Sequence, residues 1–282
     1  MQGIEFMWIA KSKAELRARL DAAPRPVILV PTMGALHEGH ASLISLARER
    51  AGTHGTVVVS IFVNPIQFDR AGDLAAYPRP LSADLEVCET RGADGVFIPD
   101  DGGMYFPDRS VTVTENSLSA HLCGATRPGH FEGVCTVVLK LFLLTGCDAA
   151  VFGEKDFQQL AVIRRMVRDL DLRTEIIAHP TIRESDGLAM SSRNTRLTPE
   201  HRADAPRIRQ ALLAAAGQSD AASMLRVAGE IIGASAFARI DYLSLVDAEN
   251  LAPTENLARP AILACAVFYG EVRLIDNIAV GG

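Results

Sequence analysis

His37 and His40 stand three residues apart in the stretch PTMGALHEGH (31–40), between an apolar run at 27–30 and a helical period at 41–50. Imidazoles at that spacing in a first helical turn point the same way and can donate to phosphate oxygens as charge builds on a leaving group. A helix N-terminus beyond a strand adds N–H groups and the positive end of the helix dipole. Gly34 and Gly39 would let backbone approach a nucleotide closely. A metal pair is the competing reading of the two histidines, but no third ligand stands at metal spacing. The chain has neither a P-loop signature nor the glycine turn of a dinucleotide-binding fold.

Four further polar clusters follow apolar runs or open helices. In SIFVNPIQF (60–68), Asn64 and Gln67 offer donors and acceptors without net charge, which suits a hydroxylated organic acid. The alternative, that Asn64 only closes a turn before Pro65, is equally open. Arg127 and His130 in RPGHFEGV present two groups suited to a carboxylate or phosphate. Gly153, Glu154, Lys155 and Asp156 end a strand and run into a helix carrying Gln158 and Gln159. Met190, Ser191, Ser192, Arg193 and Asn194 combine hydroxyls with a guanidinium on a loop of the kind that closes over a triphosphate. Each cluster alone reads equally well as surface loop. Together they describe a site for nucleotide-dependent group transfer.

The elements that must position these residues follow from periodicity. Short runs rich in Val and Ile at 27–30, 56–63, 95–98, 149–152 and 174–178 read as buried parallel strands, with helical periods between them. The plainest helix is 157–170, where Leu160, Ile163, Val167 and Leu170 share a face. An amphipathic helix is expected from Lys11 to Leu20, which makes Met7 a candidate alternative start and leaves residues 1–6 without structural weight. The texture changes near 181, so we expect an α/β domain over 1–181 and a smaller α+β domain over 182–282. The latter should hold helices at 199–216 and 220–233, then strands at 240–246, 261–268 and 271–275, with Tyr269-Gly270 opening a hairpin.

The 282 residues are 48% hydrophobic and 22% charged, enough apolar content for a real core. The net charge of −6 argues against a general nucleic-acid binder. The five cysteines form no close pair, which points to a reducing, cytoplasmic setting. No run reaches the ~20 apolar residues that span a bilayer.

The ordered motifs PTMGALHEGH, SIFVNPIQF, YPR (77–79), RPGHFEGV, FGEKDFQQL, DGLAMSSRN and RLIDN (273–277) cover nearly the whole chain. With them the sequence resembles the pantoate:β-alanine ligase family, within the nucleotidyltransferase superfamily that includes class I aminoacyl-tRNA synthetases. The resemblance implies a Rossmann-like domain with a parallel sheet, a smaller lid domain, a homodimer, and Mg2+-ATP as cosubstrate. It implies adenylation of pantoate, then attack by β-alanine to give pantothenate and AMP. By the same resemblance Met33, Gly34, Ala35, Leu36, His37, Glu38, Gly39 and His40 contact ATP, with His40 as the acid or charge-stabilising group. Gly153, Glu154, Lys155, Asp156, Met190, Ser191, Ser192 and Arg193 also contact ATP, and Ile182 lies against adenine. Catalysis then falls to His40, His37 and Lys155, while Gln67 and Gln159 hold pantoate and Asn64, Arg127 and His130 support. The Mg2+ ligands stay unassigned.

Two positions depart from the family pattern. Cys123 stands where Glu is usual, and Pro80 follows Tyr-Pro-Arg where Thr is usual. Ala83 precedes Asp84 where the family often carries adjacent acids, which leaves Mg2+ to the ATP phosphates and water. The competing readings are a nucleotidyltransferase that stops at the nucleotidyl adduct and a non-catalytic nucleotide sensor. The sensor would have no need of His37, His40 and Lys155 together.

Overall fold

The computed structural model describes residues 7–282; the expectation for residues 1–6 lies outside the described residues. Two compact units emerge. One holds the described chain up to Glu115 with Gly129–Gly153 and Ile163–His179; the other holds Asn116–Pro128, Glu154–Val162 and Pro180–Gly282. The last segment of the second unit begins at Pro180, and the second unit also takes in Asn116–Pro128 and Glu154–Val162, which fall within the expected 1–181 domain.

The first unit is built on a six-stranded parallel sheet of β1 (Trp8–Ala10), β2 (Val27–Thr32), β3 (Thr56–Ile61), β4 (Gly95–Phe97), β5 (Ala149–Gly153) and β6 (Glu175–His179). Their order is β1-β4-β3-β2-β5-β6, so the winding reverses between β2 and β5, and loops leaving the carboxyl ends of those strands are where a Rossmann-like sheet binds ligands. Valines and isoleucines fill β2 and β3 because both faces are covered. On one face Ile28, Val30, Val57, Val59 and Val151 pack with Ile44 and Ala47 of the Glu38–Ala51 helix.

Sequence periodicity misses β1, a three-residue edge strand too short to carry any period; its pairing of Trp8 with Gly95 is a long-range event. β2 runs two residues past the expected end. Pro31 is tolerated there because β5 pairs only with Ile28 and Leu29, leaving no ladder bond for the missing N–H.

The second unit holds an antiparallel sheet, order β7-β8-β9, of β7 (Ala238–Asp247), β8 (Ala261–Tyr269) and β9 (Val272–Val280). Tyr269 pairs with Val272, which closes the expected hairpin around Gly270 at φ +59°. β9 continues to Val280, well beyond the expected 275. Leu263, Val267 and Tyr269 form a core with Ile208, Leu212 and Ile232 from the Arg207–Ala216 and Ala221–Gly233 helices. The single helix expected at 199–216 is two, Pro199–Asp204 and Arg207–Ala216, broken where Pro206 lacks an N–H.

Candidate functional site

The corner after β2 is tightly tied. Thr32 Oγ1 donates to the Ser60 carbonyl at 2.8 Å and accepts from Gly34 N–H at 3.2 Å. Gly34 and Ala35 then adopt φ +79° and +51°. A side chain at Gly34 would also put its Cβ 2.9 Å from Asp84 Oδ2. The Asp84 carboxylate accepts from Ala35 N–H at 2.9 Å and from Leu36 N–H at 2.7 Å.

The helix begins at Glu38, three residues before the expected start, because the histidines cap it. His37 Nδ1 accepts from Gly39 N–H at 3.1 Å, and His40 Nδ1 accepts the longer bond from His37 N–H at 3.4 Å. The rings lie 4.1 Å apart. An Nδ1 that accepts leaves the proton of a neutral imidazole on Nε2, so each ring is an Nε2–H donor without being charged. His40 N–H itself bonds the His37 carbonyl at 2.8 Å. The expectation of open backbone amides at this corner is therefore corrected for residues 35, 36, 37, 39 and 40, whose N–H groups are bonded internally. The Glu38 carboxylate is engaged by Arg91 at 2.8 and 3.0 Å.

Past β3, the chain turns through the short helix Pro65–Gln67. Gln67 is buried and its amide is oriented at both ends: Asn64 Nδ2 donates to Oε1 at 2.9 Å, and Nε2 donates to Met33 Sδ at 3.0 Å. Asn64 is fixed in turn by Tyr105, whose hydroxyl donates to Oδ1 at 2.8 Å, and by its own donation to the Gly133 carbonyl at 3.1 Å. Burial pushes the Tyr105 hydroxyl well above its ordinary range, which keeps it a donor. Gly133 is required by contact, since a Cβ there would lie 2.5 Å from the Ile66 carbonyl oxygen. His130 is buried, and its Nδ1 bonds the Gln67 carbonyl at 2.8 Å, a supporting contact to backbone. Tyr105 escaped the sequence reading because an isolated Tyr carries no local signal; Gly133, within RPGHFEGV, has no side chain to announce its role in the first turn of the His130–Thr145 helix.

In the second unit, Glu154–Asp156 form a single tight turn. Asn277 of β9 clasps it, donating to the carbonyls of Glu154 and Lys155 at 3.1 and 3.0 Å. Lys155 Nζ lies 3.1 Å from Asp156 Oδ2. Gln158 is a staple, donating to the Leu118 and His121 carbonyls at 2.9 and 2.6 Å and accepting from Cys123 N–H at 2.9 Å. Gln159, by contrast, is half-buried and its side-chain amide has no hydrogen-bond partner among the described residues.

Ile182 and Met190 face each other across a narrow loop closed by Met190 N–H to the Ile182 carbonyl at 3.0 Å. Arg183 braces that loop against β9, gripping buried Asp276 at 2.7 and 2.9 Å. Ser191 then caps the short Ser192–Arg196 helix, its Oγ accepting from Arg193 N–H at 3.2 Å. Lys155 and Ser191 line one small cleft with Leu188, Ile208, Leu274 and Asp276. The structure thus brings together Met33 with Gln67, His37 with His40, and Lys155 with Ser191.

Cys123, the departure from the family pattern, sits 3.4 Å from the Tyr242 hydroxyl and 3.6 Å from Arg273 Nη1. Arg273 keeps a carboxylate partner in Asp241, at 2.8 and 2.9 Å. Burial first, then the Cys123 thiol, pushes the Tyr242 hydroxyl well up.

Comparison with known proteins agrees with these motifs. A family model described as pantoate-beta-alanine ligase matches residues 8–279. A pantothenate synthetase of Akkermansia muciniphila is 53% identical over 274 residues, covering 95% of this chain and 98% of that protein. The crystal structure of pantothenate synthetase from Thermus thermophilus superposes with a TM-score of 0.92 at 44% identity, covering 98% of this chain and 100% of that one. That of a pantoate-beta-alanine ligase from Francisella tularensis, complexed with beta-gamma ATP and beta-alanine, gives 0.81 at 32% identity and covers 97% of each chain. With residues 8–279 matched and its Rossmann-like sheet in common, the chain belongs to the pantoate-beta-alanine ligase family.

Proposed function

We propose that this protein condenses pantoate with β-alanine at the expense of ATP, through a pantoyl adenylate, releasing pyrophosphate and AMP. The observation that carries the reading is the His37–His40 pair, two Nε2–H donors held at the start of a 14-residue helix. Family membership and the ATP and β-alanine bound by the Francisella relative support it.

In the first step a pantoate carboxylate oxygen attacks the α-phosphorus, and the bond to the bridging oxygen of the β-phosphate breaks. Charge grows on the departing pyrophosphate. Neutral Nε2–H donors and the helix dipole answer that charge without having to reorganise. Holding the acid is the task assigned to Gln67 and Gln159; the Asn64–Tyr105 chain gives Gln67 a single amide orientation, which is preorganisation of a neutral clamp. In the second step the β-alanine nitrogen attacks the acyl carbon, the C–O bond to AMP breaks with its electron pair going to the AMP phosphate oxygen, and the nitrogen's proton passes to solvent.

The remaining contacts are proposals on the same footing. Lys155, Ser191, Ser192 and Arg193 serve the phosphates, with Lys155 a point charge in the cleft it shares with Ser191. Met33, Gly34, Glu38, Gly39, Gly153, Glu154, Asp156 and Met190 complete the ATP contacts, and Ile182 lies against adenine. Ala35 and Leu36 would meet ATP through atoms other than their N–H groups, which Asp84 holds. Among the described residues no three His, Cys, Asp or Glu side chains gather as a metal cluster, and Mg2+ is assigned to the ATP phosphates.

We also propose a homodimer. Phe106, Val111 and Leu143 are 66%, 78% and 70% exposed, and residues 109–114 belong to no helix or strand. A cytoplasmic setting is proposed from five cysteines that are all free and buried.

The test is mass spectrometry of products with Mg2+-ATP, pantoate and β-alanine, omitting each in turn. Pantothenate and AMP should appear only with all three. ADP instead of AMP would overturn adenylyl activation, and a nucleotidyl adduct that β-alanine does not consume would favour a transferase that stops after the first step.

A further inference from the structure

Asp84 lies in the first turn of the Leu81–Thr90 helix, far in sequence from the histidine corner, and is 1% exposed. A carboxylate so deeply buried must be compensated, and here the compensation comes from one place. Its two oxygens accept from consecutive backbone N–H groups, Ala35 to Oδ2 at 2.9 Å and Leu36 to Oδ1 at 2.7 Å. Those consecutive amides meet one carboxylate at a turn where Gly34 and Ala35 both take positive φ. In this chain the two N–H groups already hold an anion of the protein's own.

Ala35 is the informative residue. Its φ of +51° is one that an L side chain rarely adopts, and glycine would take it freely. Something must hold it there, and the charge-assisted bonds from Asp84 do so. Two residues later comes His37, the helix cap, whose own N–H orients His40. The geometry of the turn therefore decides where both imidazoles stand.

We propose that Asp84 is a positioning residue for ATP: its carboxylate holds residues 34–36 in a left-handed turn and through that turn fixes the His37–His40 pair. This rests on the ATP-dependent ligase reading above. With each oxygen accepting from a backbone N–H, Asp84 is assigned to the protein's own backbone.

The test uses Asp84→Asn in the full chain. The amide keeps the shape but turns one acceptor into a donor facing a backbone N–H. We expect exchange of the Ala35 and Leu36 amide protons to speed by about tenfold or more, and calorimetric Kd for a non-hydrolysable ATP analogue with Mg2+ to rise by about tenfold, as loss of a charge-assisted bond implies. KM for pantoate and β-alanine should change little. Adding Ala35→Gly should recover much of the ATP affinity, because glycine no longer needs to be held; a merely structural acid would not be rescued there. Unchanged amide exchange and ATP affinity in Asp84→Asn would overturn the proposal. So would a deficit corrected by excess Mg2+ and not by Ala35→Gly, which would make Asp84 a metal ligand. If Asp84→Asn does not fold, exchange in the wild type decides: slow Ala35 and Leu36 amides support the clamp, and fast ones overturn it. Failure of the wild type to make pantothenate would sink the ligase reading while leaving the exchange result to judge the clamp.

Discussion

His37 and His40 do two jobs with one side chain each. Their Nδ1 atoms complete the cap of the Glu38–Ala51 helix, and that commitment sets the tautomer that makes Nε2–H a donor. A His40→Ala variant should therefore lose about a hundredfold or more in turnover, the usual scale for a positioned catalytic donor. Steady-state rates of the folded variant check this, and near-normal turnover would remove His40 from the mechanism. Some loss of thermal stability should accompany it, since the His37 N–H loses its partner. The identities of these residues were plain in the sequence. Their hydrogen-bonding roles were not, because which nitrogen accepts depends on backbone atoms that only the folded turn brings within reach.

At the scale of elements, breaks between them are held by specific polar ties. In the second unit Asp204 ends the Pro199–Asp204 helix just before Pro206 interrupts the run. Its carboxylate accepts from Arg207 Nε at 2.9 Å, Ser235 Oγ at 2.5 Å and the Tyr269 hydroxyl at 3.1 Å, joining two helices to β8. Burial raises the Asp204 pKa, but the hydrogen bonds from Arg207, Ser235 and Tyr269 and the Arg207 charge outweigh it, and the net shift is downward. A depressed folded value means that Asp204 stabilises fully above its unfolded pKa of about 4, and that this contribution disappears as pH falls through the lower folded value. Asp204→Asn should cost about 1–3 kcal/mol at neutral pH. In urea melts the gap between variant and wild type should close as pH drops from about 5 towards 2. A gap independent of pH would assign the loss to packing instead. Periodicity foresaw the helical stretch but not this junction, whose partners lie 3, 31 and 65 residues away.

For the whole molecule, the proposed homodimer makes the prediction. Val113 N–H donates to Thr136 Oγ1 at 2.9 Å and Thr114 Oγ1 to Glu132 at 3.1 Å, which ties Val113 and Thr114 to the His130–Thr145 helix. Val111 stays 78% exposed beside that arrangement. Covering so large an apolar side chain is worth about 1.5–3 kcal/mol. Val111→Glu should therefore weaken the proposed dimer, seen in sedimentation velocity as a shift towards monomer at micromolar concentration, with the fold unchanged by circular dichroism. A wild type that sediments as a monomer would refute the dimer, and a variant that still sediments as a dimer would place the interface elsewhere.

The sequence by itself determined the parallel strands, the helix-opening corner at 31–40, the α+β character of the C-terminal part and the family, because these rest on local periodicity and on contiguous motifs. Tertiary structure alone decided that β1 joins the sheet through Gly95, that Tyr105 and Asn64 orient Gln67, and that Asp84 occupies the amides of Ala35 and Leu36. The physical reason is common to all three. A hydrogen bond is satisfied by whatever donor or acceptor the fold delivers, and Asp84 reaches Leu36 across 48 residues while Tyr105 reaches Asn64 across 41. Residue types announce that a group can donate or accept; which group it meets is settled when distant segments pack and water leaves.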